Sequence, residues 1–413
     1  MKKESMKKPA LEFWSLKGNA PLEKIMKPLN VEICDVTLRD GEQTPGVSFT
    51  CEEKQDIAQR LSDIGIDIIE AGFPSVSEYE KRSVRSIVEM DLPSDICCLS
   101  RCVQSDIDAA IDCGVDLVSL FFATSDLHLR IKYKKTREEM LDLALGMLDY
   151  ALDHGIKVRF SAEDASRTDT AFLKEMYAKG ADRGASYSSY ADTVGCMTPL
   201  SMYETVRVLS TWLKNPLCVH CHNDMGFASA NTFTAAQAGA FQLHTTVNGI
   251  GERCGNASLE EVLVALRMQG GVDRYDLSAL QTLSRTVETY SGIKIAKTKP
   301  VVGEHAFCHE SGIHIAALIQ DRNTYEYYPP EMVGAEQKFI LGKHTGRKGL
   351  EYILTTLGYN PVPGEVDVIL ERIKSISETK QSITHDVLLS VISETRQETE
   401  LKKTSGSDKA RTG

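Results

Sequence analysis

Between Val31 and Gly251, short apolar runs rich in β-branched residues alternate with longer stretches whose apolar positions recur at helical spacing. Eight runs read as strands: Val31–Asp40, Ile66–Phe73, Asp95–Arg101, Leu117–Ser125, Lys157–Asp164, Ser186–Gly195, Leu217–Asp224 and Gln242–Gly251. Helical patterns fall between them at Thr50–Ile64, Glu78–Met90, Ser105–Cys113, Thr136–His154, Pro199–Leu213, Ala228–Gly239 and Ser258–Met268, several opening on a capping Ser or Thr. Strand then helix, with short glycine returns such as Ile64-Gly65-Ile66, predicts an α/β fold: a (β/α)8 TIM barrel. The sixth strand is unusually polar, Gly184-Ala-Ser-Tyr-Ser-Ser-Tyr190.

After Gly292 the pattern changes. Lys294–Pro300 is basic and extended, Val301–Ile319 carries three histidines, and Tyr325–Pro330 is an aromatic loop. Helical periodicity returns at Gly349–Leu357 and Val366–Ser377, and the end is polar and charged. The expected organisation is an N-terminal extension (1–30), the catalytic barrel (31–292), a C-terminal lid with helical subdomains (293–397) and a disordered tail (398–413).

Composition narrows the function. In 413 residues, 42% hydrophobic and 25% charged, no apolar stretch approaches the roughly 20 residues of a membrane span. The start, Met1-Lys-Lys-Glu-Ser5, has no apolar core like a signal peptide's, so the expected location is cytoplasmic. A formal net charge of −11 without a block of clustered Lys and Arg argues against nucleic acid or an anionic membrane as partner. The eleven cysteines, scattered through apparent strands and helices, suit reduced buried thiols. Cys218 and Cys221 have CxxC spacing, but on an extended strand they face opposite sides and cannot share a metal.

His220 and His222 are two apart at the end of the seventh strand, so both imidazoles face one side and can bind one ion. Arg39 and Asp40 end the first strand. Barrels of this type carry their reacting groups at the carboxyl ends of the strands, where Glu70, Arg101, Ser161, Glu163, Asp192, Thr193 and Asn248 also fall. These residues are expected to converge on one mouth, with Asp40 and the two histidines holding a divalent metal (Zn, Mn or Mg) for an anionic substrate.

The stretches DVTLRDGEQTPG (Asp35–Gly46), EAGFP (Glu70–Pro74), FSAEDASRTD (Phe160–Asp169), ADTVGCMTP (Ala191–Pro199), HCHNDMGFA (His220–Ala228), NGIGERCGNASLEE (Asn248–Glu261), HESGIH (His309–His314) and LGKHTGR (Leu341–Arg347) come in this order. In this the chain resembles the metal-dependent barrel family of isopropylmalate, homocitrate and citramalate synthases and related lyases. The resemblance implies acetyl-CoA as co-substrate, a 2-oxo acid as acceptor and a homodimer. It implies that Asp40, His220 and His222 bind the metal with Asn256 at or near its coordination sphere, that Arg39, Gln43 and Thr193 hold the oxo acid, and that Glu163, His314 and Tyr325 serve proton transfer.

On the fifth strand Arg159, Ser161 and Glu163 alternate and are expected to face the barrel interior. A buried guanidinium needs an anion. Either it pairs with Glu163 or another acid, or it forms, with Ser161, a fork for a second substrate carboxylate. The run Val158-Arg-Phe-Ser161 is similar to that of homocitrate synthases of lysine biosynthesis, whose distal substrate carboxylate sits there. Leu38-Arg39-Asp40 departs from the Leu-Arg-Glu usual in that group, whereas Ala123–Leu129 and Glu70–Pro74 look most like the archaeal homocitrate synthase group. Homocitrate synthesis from 2-oxoglutarate is therefore expected, with isopropylmalate synthesis (2-oxoisovalerate) or citramalate synthesis (pyruvate) as alternatives.

Overall fold

The computed structural model describes residues 28–409, with side chains to Leu401. Most of the expected N-terminal extension and the last four residues of the expected tail lie outside the described residues. The chain divides into two units, to Ile295 and from Ala296.

The first unit is a closed barrel of eight parallel strands in sequence order: β1 (Glu32–Asp35), β2 (Ile68–Glu70), β3 (Asp95–Arg101), β4 (Leu117–Ala123), β5 (Lys157–Glu163), β6 (Tyr187–Asp192), β7 (Leu217–Cys221) and β8 (Gln242–Thr245). Pairing of β1 with β8, Cys34 opposite His244, closes the ring. Helices α1 (Cys51–Ile64), α2 (Glu78–Val88), α3 (Gln104–Cys113), α4 (Arg137–Asp153), α5 (Thr170–Asp182), α6 (Pro199–Trp212), α7 (Ala228–Ala238), α8 (Leu259–Gln269) and α9 (Leu280–Ser291) follow the strands. The polar starts work as caps: Thr50 with Glu53 and Thr136 with Glu139 form reciprocal capping boxes on α1 and α4. Gly65 stops α1 with φ +93°, a conformation other residues adopt only with strain.

The period-two alternation of each strand sorts its side chains. Ile33, Val118, Phe122, Phe160 and Val219 are buried as the apolar alternates. Cys34, Val36, Ile68, Cys97 and Leu117 form an apolar cluster of their own. The strands are shorter than the apolar runs. β1 ends at Asp35, whose carboxylate accepts the Thr37 amide at 2.9 Å and turns the chain, and the Asp40 amide bonds the Val36 carbonyl at 2.8 Å. Arg39 and Asp40 thus stand in a tight turn beyond the strand, and His222 one residue past β7.

The second unit contains a two-stranded parallel sheet, β9 (Cys308–His309) with β10 (Lys338–Phe339), and helices α10 (Gly312–Leu318), α11 (Arg347–Thr356), α12 (Glu365–Glu378) and α13 (His385–Lys409). Leu350, Leu354, Ile369, Ile373, Leu388 and Val391 form its core. The tail expected to be disordered from residue 398 is helical to Lys409. Its helix begins thirteen residues earlier, at His385, where Leu388, Val391 and Ile392 bury an apolar stripe, and Glu398 pairs with Arg372 of α12. Among the described residues no helix is long and apolar enough to cross a membrane, and all eleven cysteines are free thiols.

Candidate active site

Asp40, His220 and His222 meet at the barrel mouth, all buried, with one donor atom of each within 4.8 Å of the others. The two Nε2 atoms are 3.2 Å apart, and Asp40 Oδ2 lies 3.2 Å from that of His220 and 3.8 Å from that of His222. Ligands of one first-row divalent ion, each about 2.1 Å from it, stand about 3.0–3.4 Å apart, so the donor set fits a cation. Electrostatics agree. Burial, then the neighbouring His220, pushes His222 down to about 3, leaving a neutral imidazole with a lone pair to give. Burial raises Asp40, but the Arg39 charge and the His220 contact outweigh it and hold the carboxyl well below its usual range.

Asn256 faces the same place: its backbone forms an isolated β-bridge with that of His222, its Nδ2 donates to the Ile250 carbonyl at 3.1 Å, and its buried Oδ1 has no hydrogen-bond partner among the described residues. An orphaned amide oxygen beside two imidazoles and a carboxylate suits a cation. The loop reaches this point because Gly251 carries no side chain: a Cβ there would lie 2.2 Å from Asn256 Nδ2 and 3.2 Å from Asp40 Oδ1.

Arg39 donates to Asp40 Oδ2 at 2.7 Å and through Nε to Glu70. The other oxygen of Glu70 accepts from Arg159 Nη1 at 3.0 Å, and all of Glu70 and Arg159 is buried. One carboxylate therefore bridges two guanidiniums. Arg159 Nη2 also meets the Cys34 thiol at 3.2 Å. Of the two expectations for Arg159, the structure shows the pairing with an acid, which is Glu70 and not Glu163. Arg159 is two residues before Ser161 on β5, its fully buried head is tied to Glu70 and Cys34, and it is absent from the pocket lining. The anion it requires is a protein carboxylate.

The turn bearing Arg39 and Asp40 has its own anchor. Lys54 of α1 is fully buried, 2.7 Å from Glu42 and from Glu80, and donates to the Leu38 carbonyl at 3.3 Å. Glu80 also accepts the Phe73 amide at 3.0 Å, so one ammonium joins the turns that follow β1 and β2.

Above this frame lies a pocket of about 310 Å³ lined by Arg39, Asp40, Gln43, Ser161, Glu163, Thr193, His220 and His222 as expected, and also by Ser119, Ser189, His244, Leu99, Phe73 and Phe121. Ser119 and Ser161 hydroxyls are 3.2 Å apart, and Ser189 is the β6 register partner of Ser161. The polar sixth strand that stood out in the sequence supplies this third hydroxyl; Ser188 turns the other way to Asn215. Ser119, Ser189 and His244 were missed, although the alternation that placed Ser161 inside applies to them equally. Burial, with the Arg159 charge, keeps His244 well below its usual value.

Glu163 pairs with Lys132 at 2.5 Å and lies 3.8 Å from His128, with Oε2 unpartnered among the described residues. The Thr193 hydroxyl accepts the Asp164 amide at 2.9 Å. His314 and Tyr325 belong to the second unit, where their rings stack at 4.0 Å. Besides Glu70, three polar strand-end residues do not line the pocket. Arg101 pairs with Asp106, Asp192 accepts the Cys196 and Met197 amides, and Asn248 exchanges hydrogen bonds with Ser284. Cys218 lies beside Arg159 and Cys221 beside Thr232, so the CxxC pair has two separate environments.

Comparison with known proteins agrees with this architecture. Residues 30–287 match the HMGL-like family and residues 301–381 the homocitrate synthase post-HMGL domain-like family. The chain is 50% identical over 385 residues to homocitrate synthase AksA of Methanosarcina acetivorans, covering 93% of this chain and 94% of the relative. It is 47% identical to a 2-isopropylmalate synthase of Methanocaldococcus jannaschii, over 88% of this chain and 71% of that one, and 44% identical to (R)-citramalate synthase CimA of the same organism, over 88% and 74%. Among solved structures, the barrel is similar in fold to hydroxymethylglutaryl-CoA lyase from Pseudomonas aeruginosa, with TM-score 0.58, 21% identity and coverage of 65% of this chain and 95% of that one.

Proposed function

The chain belongs to the HMGL-like family, and from that premise we propose that it is a homocitrate synthase: an acyltransferase that condenses acetyl-CoA with 2-oxoglutarate and hydrolyses the thioester to homocitrate and CoA. The observation that carries the choice of a diacid is the wall of three hydroxyls, Ser119, Ser161 and Ser189, on neighbouring strands of the pocket. Hydroxyls donate to a distal carboxylate, whereas a branched apolar tail would leave them unpaired. Near-full-length similarity to homocitrate synthase AksA supports the same reading.

Asp40, His220, His222 and the Asn256 amide oxygen would hold a divalent ion, which when bound supplies Lewis acidity to the keto group. Arg39, fixed between Asp40 and Glu70, presents positive charge to the oxo acid, with Gln43 and Thr193 beside it. A base must take a proton from the acetyl methyl group; the carbanion bonds the keto carbon, the keto oxygen gains a proton, and water cleaves the thioester. Glu163, His314 and Tyr325 carry those protons. A cytoplasmic homodimer is expected, in which His314 and Tyr325 act either in trans, from the partner chain, or within one chain. In the first case mixing Asp40→Ala and His314→Ala subunits restores activity; no complementation places the residues in cis.

Thiol release with 2-oxoglutarate, 2-oxoisovalerate and pyruvate decides the acceptor. Preference for 2-oxoglutarate is expected. Leu99, Phe73 and Phe121 on the pocket wall favour the second reading, isopropylmalate or citramalate synthesis, and preference for either monoacid would establish it.

A further inference from the structure

The loop after β8, Gly249–Gly255, leads to Asn256 and is fastened on two sides of the barrel mouth. Toward β1, Thr44 Oγ1 donates to the Gly251 carbonyl at 3.2 Å and the Glu252 amide reaches Asp40 Oδ1 at 3.5 Å. Toward β6 and β7, the fastening is Arg253. Its Nε and Nη2 donate to the two carboxylate oxygens of Asp224 at 2.7 and 2.8 Å, and Nη2 donates again to the Thr193 carbonyl at 2.7 Å. Asp224 follows β7 and Thr193 follows β6, so one guanidinium joins the loops after three successive strands. The Asn223 amide, next to His222, adds a bond to the Gly255 carbonyl at 2.9 Å.

Two backbone features fit this contact. Arg253 sits at φ +55°, a left-handed conformation that a residue with a side chain holds only where its surroundings impose it. At Gly195, φ +58°, a Cβ would stand 2.5 Å from Asp224 Oδ2 and 2.8 Å from the Asp224 nitrogen, so only glycine lets the β6 and β7 loops come this close. The ion pair is partly exposed, 39% for the Arg253 side chain and 26% for Asp224, and an exposed pair adds little to global stability. What a forked guanidinium adds is direction.

We infer that Arg253 is a positioning residue: by holding its own loop and the Thr193 backbone to Asp224, it sets the oxo-acid contact of Thr193 and the metal contact of Asn256 together. It acts through these neighbours. The part that concerns Thr193 rests on the proposed function, whereas the part that concerns Asn256 rests on the metal donor set alone.

The test uses the full-length enzyme and its Arg253→Met, Arg253→Lys and Asp224→Asn variants. Arg253→Met is expected to weaken Mn²⁺ binding roughly fivefold, by calorimetry with the metal alone, and to raise KM for the oxo acid roughly tenfold. KM for acetyl-CoA and the urea midpoint stay as in the parent. Arg253→Lys keeps the charge without the fork and is expected to fall between. Joining Asp224→Asn to Arg253→Met is expected to cost no more than Arg253→Met alone, because the two side chains act as one clamp. Additive losses would mean that Arg253 meets the ligands by itself, and parent-like Mn²⁺ affinity and oxo-acid KM would leave it no positioning role; either result overturns the inference. If Arg253→Met does not fold, the same shifts are read in Arg253→Lys and Asp224→Asn, and their absence there overturns it equally. Weaker Mn²⁺ binding in Arg253→Met, in a protein that releases thiol with none of the three oxo acids, would refute the proposed function and leave the clamp on the metal loop standing.

Discussion

Arg39 and Arg159 grip opposite oxygens of the same carboxylate, Glu70, yet they belong to two regions of the barrel with different tasks. Arg39 stands in the turn beyond β1, partly exposed, and lines the pocket beside the metal donors. Arg159 lies within β5 with no exposure, among Glu70, Cys34 and Cys218. A charge at the mouth can be offered to a substrate because water and ligand reach it. A charge deeper inside must be neutralised by the protein itself, since an unpaired guanidinium there costs several kcal/mol. The same kind of side chain presents its charge to the pocket from the turn after β1 and is tied to a protein carboxylate from within β5.

Several substitutions can break this contrast, beginning with the most damaging. His222→Ala or Asp40→Ala is expected to lower kcat/KM by roughly a thousandfold or more, with bound metal by elemental analysis falling in step. Full turnover after removal of the donors would end the assignment of the mouth as the reacting region. Glu70→Gln removes the shared negative charge from both arginines, leaving Arg39 with Asp40 and Arg159 without a carboxylate. It is expected to cost about 3–5 kcal/mol in urea unfolding and also to lower kcat, whereas Arg159→Met, which leaves Glu70 held by Arg39, costs less. The kinetic signature of Arg159→Met is equal loss toward 2-oxoglutarate, 2-oxoisovalerate and pyruvate; loss confined to the diacid would return Arg159 to the substrate.

Lys54→Met sharpens the comparison from outside the barrel. Because Glu42 and Glu80 keep some contact with water, the expected cost is about 2 kcal/mol, together with a lower kcat that Lys54→Arg partly restores. A change in stability with kcat intact would make Lys54 a packing element without influence on the Arg39 turn. Smallest of all, Ser161→Ala is expected to raise KM for 2-oxoglutarate about fivefold, the size of one hydrogen bond of about 1 kcal/mol, and to leave pyruvate almost unaffected.

Much of the fold was legible in the chain. The eight apolar runs gave eight barrel strands in order, because a strand buried on both faces is largely apolar over its length. Their ends were overread, since the apolar composition of Val36 to Leu38 continues past the last ladder bond into a turn set by Asp35. The tail was misread for the opposite reason. Its residues after 398 are polar, but they extend a helix whose apolar stripe is placed upstream at Leu388–Ile392. The His220–His222 pair was readable from spacing alone, as was the inward direction of Arg159. Ser119 and His244 were hidden inside apolar or mixed runs, where one polar residue gives no pattern of its own.

Direction, then, was the chain's own decision: period-two alternation commits each side chain to one face, and motif order brings Asp40 and the two histidines to one end. Depth was not. How far along the axis each inward residue comes to rest depends on strand tilt and stagger when the barrel closes, and that is what brought Glu70 between two arginines, put three serines from different strands on one wall and left Arg159 outside the pocket lining.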